Sequence, residues 1–166
     1  MPSVRVNKNE NFGMYFLTFT VFKWYSVLNK HNHWIILADS IRFFQKHKNL
    51  KLNSFVFMNN HIHLIIESDD VISFIRDFKK FTSKKIKENI ILYEPTILNL
   101  FINESYKYQF WQRTNMPIEI YSEKFWLEKS KYIENNPVVK GYVDYAEDWI
   151  WSSANPNCSL EINEEY

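Results

Sequence analysis

Two imidazoles stand two residues apart at the head of an apolar run, Phe57-Met58-Asn59-Asn60-His61-Ile62-His63-Leu64-Ile65-Ile66. A tyrosine and an asparagine stand four apart in Tyr132-Ile133-Glu134-Asn135-Asn136-Pro137-Val138. In a strand, side chains i and i+2 share a face, so His61 and His63 would project together while Ile62 points into a core. Two convergent neutral imidazoles make a bidentate platform for a divalent ion. They do not fill a coordination shell, and a carboxamide or carboxylate oxygen from elsewhere would complete a site suited to manganese or magnesium. On a helix, Tyr132 and Asn136 are neighbours on one face. If that face packs over the histidines, the phenol lies beside the metal and the Asn136 carboxamide can ligate it. Tyrosine is a covalent nucleophile, sluggish at its ordinary pKa of about 10 unless the site activates it.

The chain carries its own control. His31-Asn32-His33 repeats the spacing, but its middle residue is polar and it sits in a polar stretch just before a helix. Its side chains need not converge, and that pair reads as structural. Tyr132 is one of 10 tyrosines, so spacing alone does not single it out.

The elements that must position these groups follow from pattern. Tyr15-Phe16-Leu17-Thr18-Phe19-Thr20-Val21 is β-branched and aromatic and reads as a buried strand. Residues 33–47 space apolar side chains helically. Asn53 to Met58 and His61 to Glu67 read as two strands joined by Asn59-Asn60, a tight hairpin turn of a residue that tolerates positive φ. Asp69-Asp70 offers an N-cap for a helix over about 71–89, with Val71, Phe74, Ile75, Phe78 and Ile86 inward. Residues 90–105 read as an irregular connection, and 108–112 and 117–121 each as a short strand or loop. Ser122 with Glu123 starts a helix through about Asn135, which Pro137 should terminate. This order predicts an α+β domain of the split-βαβ (ferredoxin-like) kind, an antiparallel sheet with helices on one face.

Composition narrows the chemistry. A chain of 166 residues is one domain by prior, here 1–166 with a core over about 14–153, a loose polar segment over 1–12 and an acidic tail. Two glycines exclude a Gly-rich phosphate loop, and one cysteine, Cys158, excludes a disulfide framework and a cysteine zinc cage and fits a reducing cytosol. No signal-peptide pattern opens the chain and no apolar run approaches the roughly 20 residues of a membrane span, so a cytoplasmic protein with no membrane partner is expected. Net charge is +1, but Lys79, Lys80, Lys84, Lys85 and Lys87 crowd into nine residues. They are either a solvated helix face or a track for a nucleic-acid backbone.

Taken together, the two segments resemble the HUH single-tyrosine transposases, which include the REP-associated tyrosine transposases and related small insertion-sequence enzymes. The first is similar to that family's Met-Pro-Asn-His-hydrophobic-His segment and the second, with Lys140-Gly141 after it, to its Tyr-Ile-x-x-Asn-Pro-Val block. Phe110-Trp111-Gln112 and Trp149-Ile150-Trp151-Ser152-Ser153 resemble two further blocks in the same order, so the likeness spans roughly 14–153. It implies His61 and His63 as metal ligands, Asn136 as the third in place of the glutamine of some relatives, and Tyr132 as the nucleophile. It also implies Mg2+ or Mn2+ as the ion and single-stranded or hairpin DNA as substrate, cut through a 5′-phosphotyrosine. A homodimer is a further implied possibility, because some relatives pair the tyrosine of one subunit with the histidines of the other. Asn59 departs from the family's proline, and residues 90–121 match weakly. The competing expectation is a hairpin-DNA-binding protein of the same fold that no longer cuts.

Overall fold

Alternation along three strands decides the layering. The computed structural model describes residues 12–115 and 117–166. Strands β1 (Gly13–Thr20), β2 (Lys51–Phe57), β3 (His61–Ser68) and the short β4 (Ile118–Glu119) form one antiparallel sheet in the order β2-β3-β1-β4. Tyr15, Leu17 and Phe19 of β1 and Ile62, Leu64 and Ile66 of β3 face one way into the main core. There they meet Leu37 and Ile41 of α1 (His33–His47) and Phe74, Phe78 and Ile86 of α2 (Val71–Tyr93). Burying such side chains stabilises by roughly 1.5–3 kcal/mol each.

The opposite face carries Met14, Phe16, Val56, Met58 and Ile65, and is closed by Ile120 and by Ile133 of α3 (Glu123–Glu134). The α+β class and the antiparallel sheet are as expected. The helices are not all on one face, however: α1 and α2 share one and α3 takes the other. Period-2 alternation requires this, because the face that bears His61 and His63 is apolar along most of its length and needs a cover.

Most elements begin and end within two residues of their expected positions; the end of α2, the hairpin turn and the path at Pro137 differ. Helix α2 continues to Tyr93, and Pro95–Phe101 forms a 3-10 turn where an irregular link was expected. Asp70 caps α2 as foreseen, its carboxylate accepting from Ser73 N at 2.9 Å. The Asn59-Asn60 turn uses no positive φ. It is pinned from outside instead, Asn59 O accepting from Val27 N and Leu28 N and Asn60 O from Val21 N. Pro137 does not end the helical path. It sits in the first turn of a short helix α4 (Asn136–Val139), where a missing N–H costs nothing. Residues 108–112 form no strand, only isolated bridges such as Val21 with Trp111.

Packing runs on past residue 153. Leu160 joins the main core, and Asn163 N donates to Leu52 O at 2.8 Å, so the acidic tail covers the open edge of β2. The polar segment expected over 1–12 lies, apart from Phe12, outside the described residues. Among the described residues no helix is long and apolar enough to cross a membrane.

Candidate active site

The histidines emerge on the α3 side of the sheet. In register, His61 faces Thr20 and His63 faces Thr18 across the β1–β3 ladder. Their ring centroids are 4.9 Å apart, so the same-face geometry expected of a strand pair is present. Both are nearly buried, 7% and 5% exposed.

A neighbour commits one nitrogen of each ring. His61 Nδ1–H donates to Asn60 Oδ1 at 2.8 Å, while Asn60 Nδ2 donates to Trp24 O. His63 Nδ1 is hydrogen-bonded to Thr18 Oγ1 at 2.9 Å. With Nδ1–H as donor in each case, both Nε2 atoms keep a lone pair, the arrangement found behind metal-ligating imidazoles. Burial pushes His61 down to about 4, helped by the Lys140 ammonium and opposed by the Asn136 side chain. Burial pushes His63 to about 3, helped by His61 and by Lys129. Both rings are therefore neutral and ligand-ready at pH 7.

Helix α3 brings the second sequence segment to the same place. Ser122 caps its N-terminus, its hydroxyl accepting from Phe125 N at 3.3 Å, as the sequence suggested. One turn from the C-terminus, the Tyr132 ring lies 5.4 Å from His63 and 6.1 Å from Phe16, which itself stacks on His63. Tyr132 remains half exposed. Asn136, past the helix junction, is 7% exposed; its side chain reaches toward His61 as a hydrogen-bond partner, but its buried Oδ1 makes no well-aligned hydrogen bond. An orphaned buried carbonyl oxygen costs roughly 1–3 kcal/mol.

That orphan is the test of whether these residues suit a metal. Among the described residues there is no cluster of three His, Cys, Asp or Glu side chains able to hold an ion, so a third ligand drawn from those residues would be neutral. Asn136 Oδ1 meets that need. Two imidazole nitrogens and one amide oxygen, with positions left open, form a donor set that Mn2+ or Mg2+ accepts. The residues fit the group.

The lysine row of α2 is placed elsewhere. Helix α2 packs on the sheet face opposite the histidines, so the row does not line this site. Lys79 is turned inward and donates to Gln112 O and Asn115 Oδ1, and burial lowers its ammonium to about 8. Lys85 pairs with Glu88, and Lys87 lies over the Tyr108 ring, leaving Lys80 and Lys84 as exposed cations of the row. The cations near the histidines are ones sequence reasoning missed. Lys129 sits one turn before Tyr132 with its ammonium 5.2 Å above Phe16 and 5.8 Å from the Tyr132 ring. Lys140 lines, with Tyr132 and Asn136, an open cleft of about 740 Å³. Their positions three residues before the tyrosine and four after the asparagine were a helical-period signal, overshadowed by the denser run on α2.

Thr18, Asn60 and Trp24 were also not foreseen as site residues. Trp24 is 55% exposed with its ring 5.7 Å from His61. It belongs to a tight turn, Phe22–Trp24, in which Lys23 and Trp24 take φ of 52° and 60°. Consecutive bulky residues in the left-handed region cost of order 1 kcal/mol or more each, strain that concentrates at functional sites.

The architecture defines a four-stranded split-βαβ domain with a paired-histidine strand under a tyrosine helix. The structure of a REP-associated tyrosine transposase bound to a REP hairpin has this fold: it aligns with a TM-score of 0.69 over 92% of this chain and 82% of that one, at 21% identity. A crystal structure of a “putative transposase” from Deinococcus radiodurans R1 aligns more loosely, with a TM-score of 0.47 over 81% of this chain and 97% of that one at 17% identity. No protein-family model and no curated protein sequence matches the chain.

Proposed function

We propose that this protein nicks and rejoins single-stranded or hairpin DNA through Tyr132, with a divalent ion held by His61, His63 and Asn136. The observation that carries the reading is the convergence on one patch of a half-exposed tyrosine, two neutral imidazoles whose Nδ1 atoms are engaged by neighbours, and a buried amide oxygen without a well-aligned hydrogen bond. The fold shared with the hairpin-bound transposase is consistent with it.

The chain's own groups divide the work. Thr18 and Asn60 hold the imidazole tautomers, and Phe16 fixes the His63 ring by stacking. Lys129 and Lys140 draw a phosphodiester into the cleft. Tyr132 Oη attacks phosphorus in line. The Oη–P bond forms, the P–O3′ bond breaks, the phenol proton passes to solvent and O3′ takes up a proton as the free hydroxyl. A bound Mn2+ or Mg2+ supplies Lewis-acid polarisation of the phosphate. Reversal by a 3′-hydroxyl rejoins the strand, because the phosphotyrosine conserves the bond energy. Tyr132 and His63 meet within one chain, so the reading requires no second copy. A purely binding role would leave the tyrosine and the ligand set without a task.

Incubation with a pool of single-stranded hairpins and Mn2+ tests the reading. A covalent protein–DNA adduct mapping to Tyr132 is expected. Tyr132→Phe should abolish it while hairpin binding stays within a few-fold. An undiminished adduct in that variant, or one mapped to another residue, overturns the proposal.

A further inference from the structure

Trp24 and Tyr132 flank the histidine pair at opposite ends. The Trp24 indole packs edge-on against His61 at 5.7 Å, whereas the Tyr132 ring packs against His63 at 5.4 Å. The indole is more than half exposed, whereas the other five tryptophans are buried or partly buried. Its position is held by specific bonds: Trp24 N donates to Val21 O, and Asn60, the residue that orients His61, donates through Nδ2 to Trp24 O. Two consecutive left-handed non-glycine residues are kept in order to present it. A ring that served only packing would need neither the strain nor the tie to His61.

In-line displacement gives this placement a meaning. A nucleophile and its leaving group lie on opposite sides of phosphorus. With Tyr132 attacking from the His63 end, the nucleotide that leaves with the free 3′-hydroxyl extends toward the His61 end. We infer that Trp24 is a base-stacking platform for an unpaired nucleotide, the one immediately 5′ of the scissile phosphate. This rests on the nicking function proposed above. Every base offers a π face, so the platform favours an unpaired over a paired nucleotide without choosing among the four. Stacking would also hold the departing 3′-hydroxyl near the phosphotyrosine, ready for rejoining.

The test uses the full chain in a Tyr132→Phe background, so that binding is read without cutting. The probe is a DNA hairpin with a ten-nucleotide unpaired 5′ flank, selected from a random-flank pool by binding to this chain. Each flank nucleotide is replaced in turn by an abasic residue. One position is expected where loss of the base weakens binding roughly tenfold, the scale of one stacked base. In Trp24→Ala that position should become silent, and in Trp24→Tyr it should remain. The same base should be the one 5′ of the phosphate captured by Tyr132 in the unmodified chain. A scan whose profile is the same in Trp24→Ala as in the parent, or a silenced position away from the captured phosphate, overturns the inference. A flat scan together with a normal Tyr132 adduct removes the platform alone. A Trp24-dependent position without any adduct supports the platform and removes the cutting.

Discussion

The molecule contains the same tripeptide spacing twice, and the two copies are put to different ends. The rings of His31 and His33 are 5.9 Å apart, hardly farther than the 4.9 Å between His61 and His63. Proximity therefore does not distinguish a ligand pair from a structural pair. The commitment of nitrogens does. Both strand histidines spend Nδ1 on a neighbour and keep Nε2. In the other pair, His31 spends Nε2 on Glu94 and stacks on Tyr93, while His33 spends Nδ1 on Val27 O. The free nitrogens are then of opposite kinds. Glu94, the nearest carboxylate, is bound by His31 and by both contacts from Lys30, which hold it below the usual carboxylate range. One pair closes the start of a helix and the other opens toward a nucleophile.

The largest test of that contrast is activity. His61→Ala should reduce Mn2+-dependent adduct formation on the order of a thousandfold, as when one member of a catalytic unit is lost. His31→Ala should leave it within about twofold, since no path links that ring to the phosphate. Melting curves read the same difference without DNA: Mn2+ should raise the midpoint of the parent and of His31→Ala, but not of His61→Ala. Equal losses in the two variants would erase the distinction.

How far this contrast could be read from sequence is itself instructive. The apolar middle residue Ile62 and the following Leu64-Ile65-Ile66 marked a strand, and a strand has fixed alternation, so the shared face of His61 and His63 was legible. Helix α1 and the caps at Asp70 and Ser122 were legible for the same local reason. What was not legible is decided by pairing across long separations. Thr18 meets His63 only through the register of β1 against β3. Trp24 reaches His61 because the turn after β1 docks on the hairpin through Asn60. The α2 lysines drew notice as a dense run, yet the layer they occupy depends on which face of the sheet the helix covers. Pro137 misled because proline is forbidden in a helix interior but favoured at its first turn, and the nearly helical Asn135 allows one helix to lead straight into another.

Acid should separate the two sites next. His61 and His63 are neutral when folded and have depressed folded values of about 4 and 3, against about 6.5 when unfolded. Between those limits the unfolded chain binds more protons, so their contribution to stability is fully present above about pH 6.5. It is lost as pH falls toward their folded values, by roughly 3 kcal/mol per imidazole at pH 4. His33, also depressed by burial, adds to the loss in the same direction. The metal-free protein should accordingly melt at progressively lower temperature from pH 7 to pH 4. Saturating Mn2+ should raise the midpoint, carry the loss due to the strand pair on to lower pH and leave the part due to His33 unchanged, because ligation holds the folded imidazoles deprotonated while the unfolded chain still takes up protons. A metal-free profile that does not change over this range would contradict the burial argument.

The smallest effect makes the two tripeptides identical. Asn32→Ile gives the first pair the sequence His-Ile-His, the feature that drew attention to the second. Ile62 is fully buried in extended backbone, whereas Asn32 sits at φ 61° and ψ 25° as the residue before α1. A β-branched side chain in that left-handed conformation is strained, while asparagine tolerates it. The variant should lose about 1 kcal/mol of stability in a urea melt and gain no second Mn2+ site by titration. Backbone conformation sets the direction of the flanking imidazoles, and the middle residue is informative only because it reports that conformation. A new manganese site in Asn32→Ile would mean that the tripeptide itself, rather than its place in the sheet, makes the ligand pair.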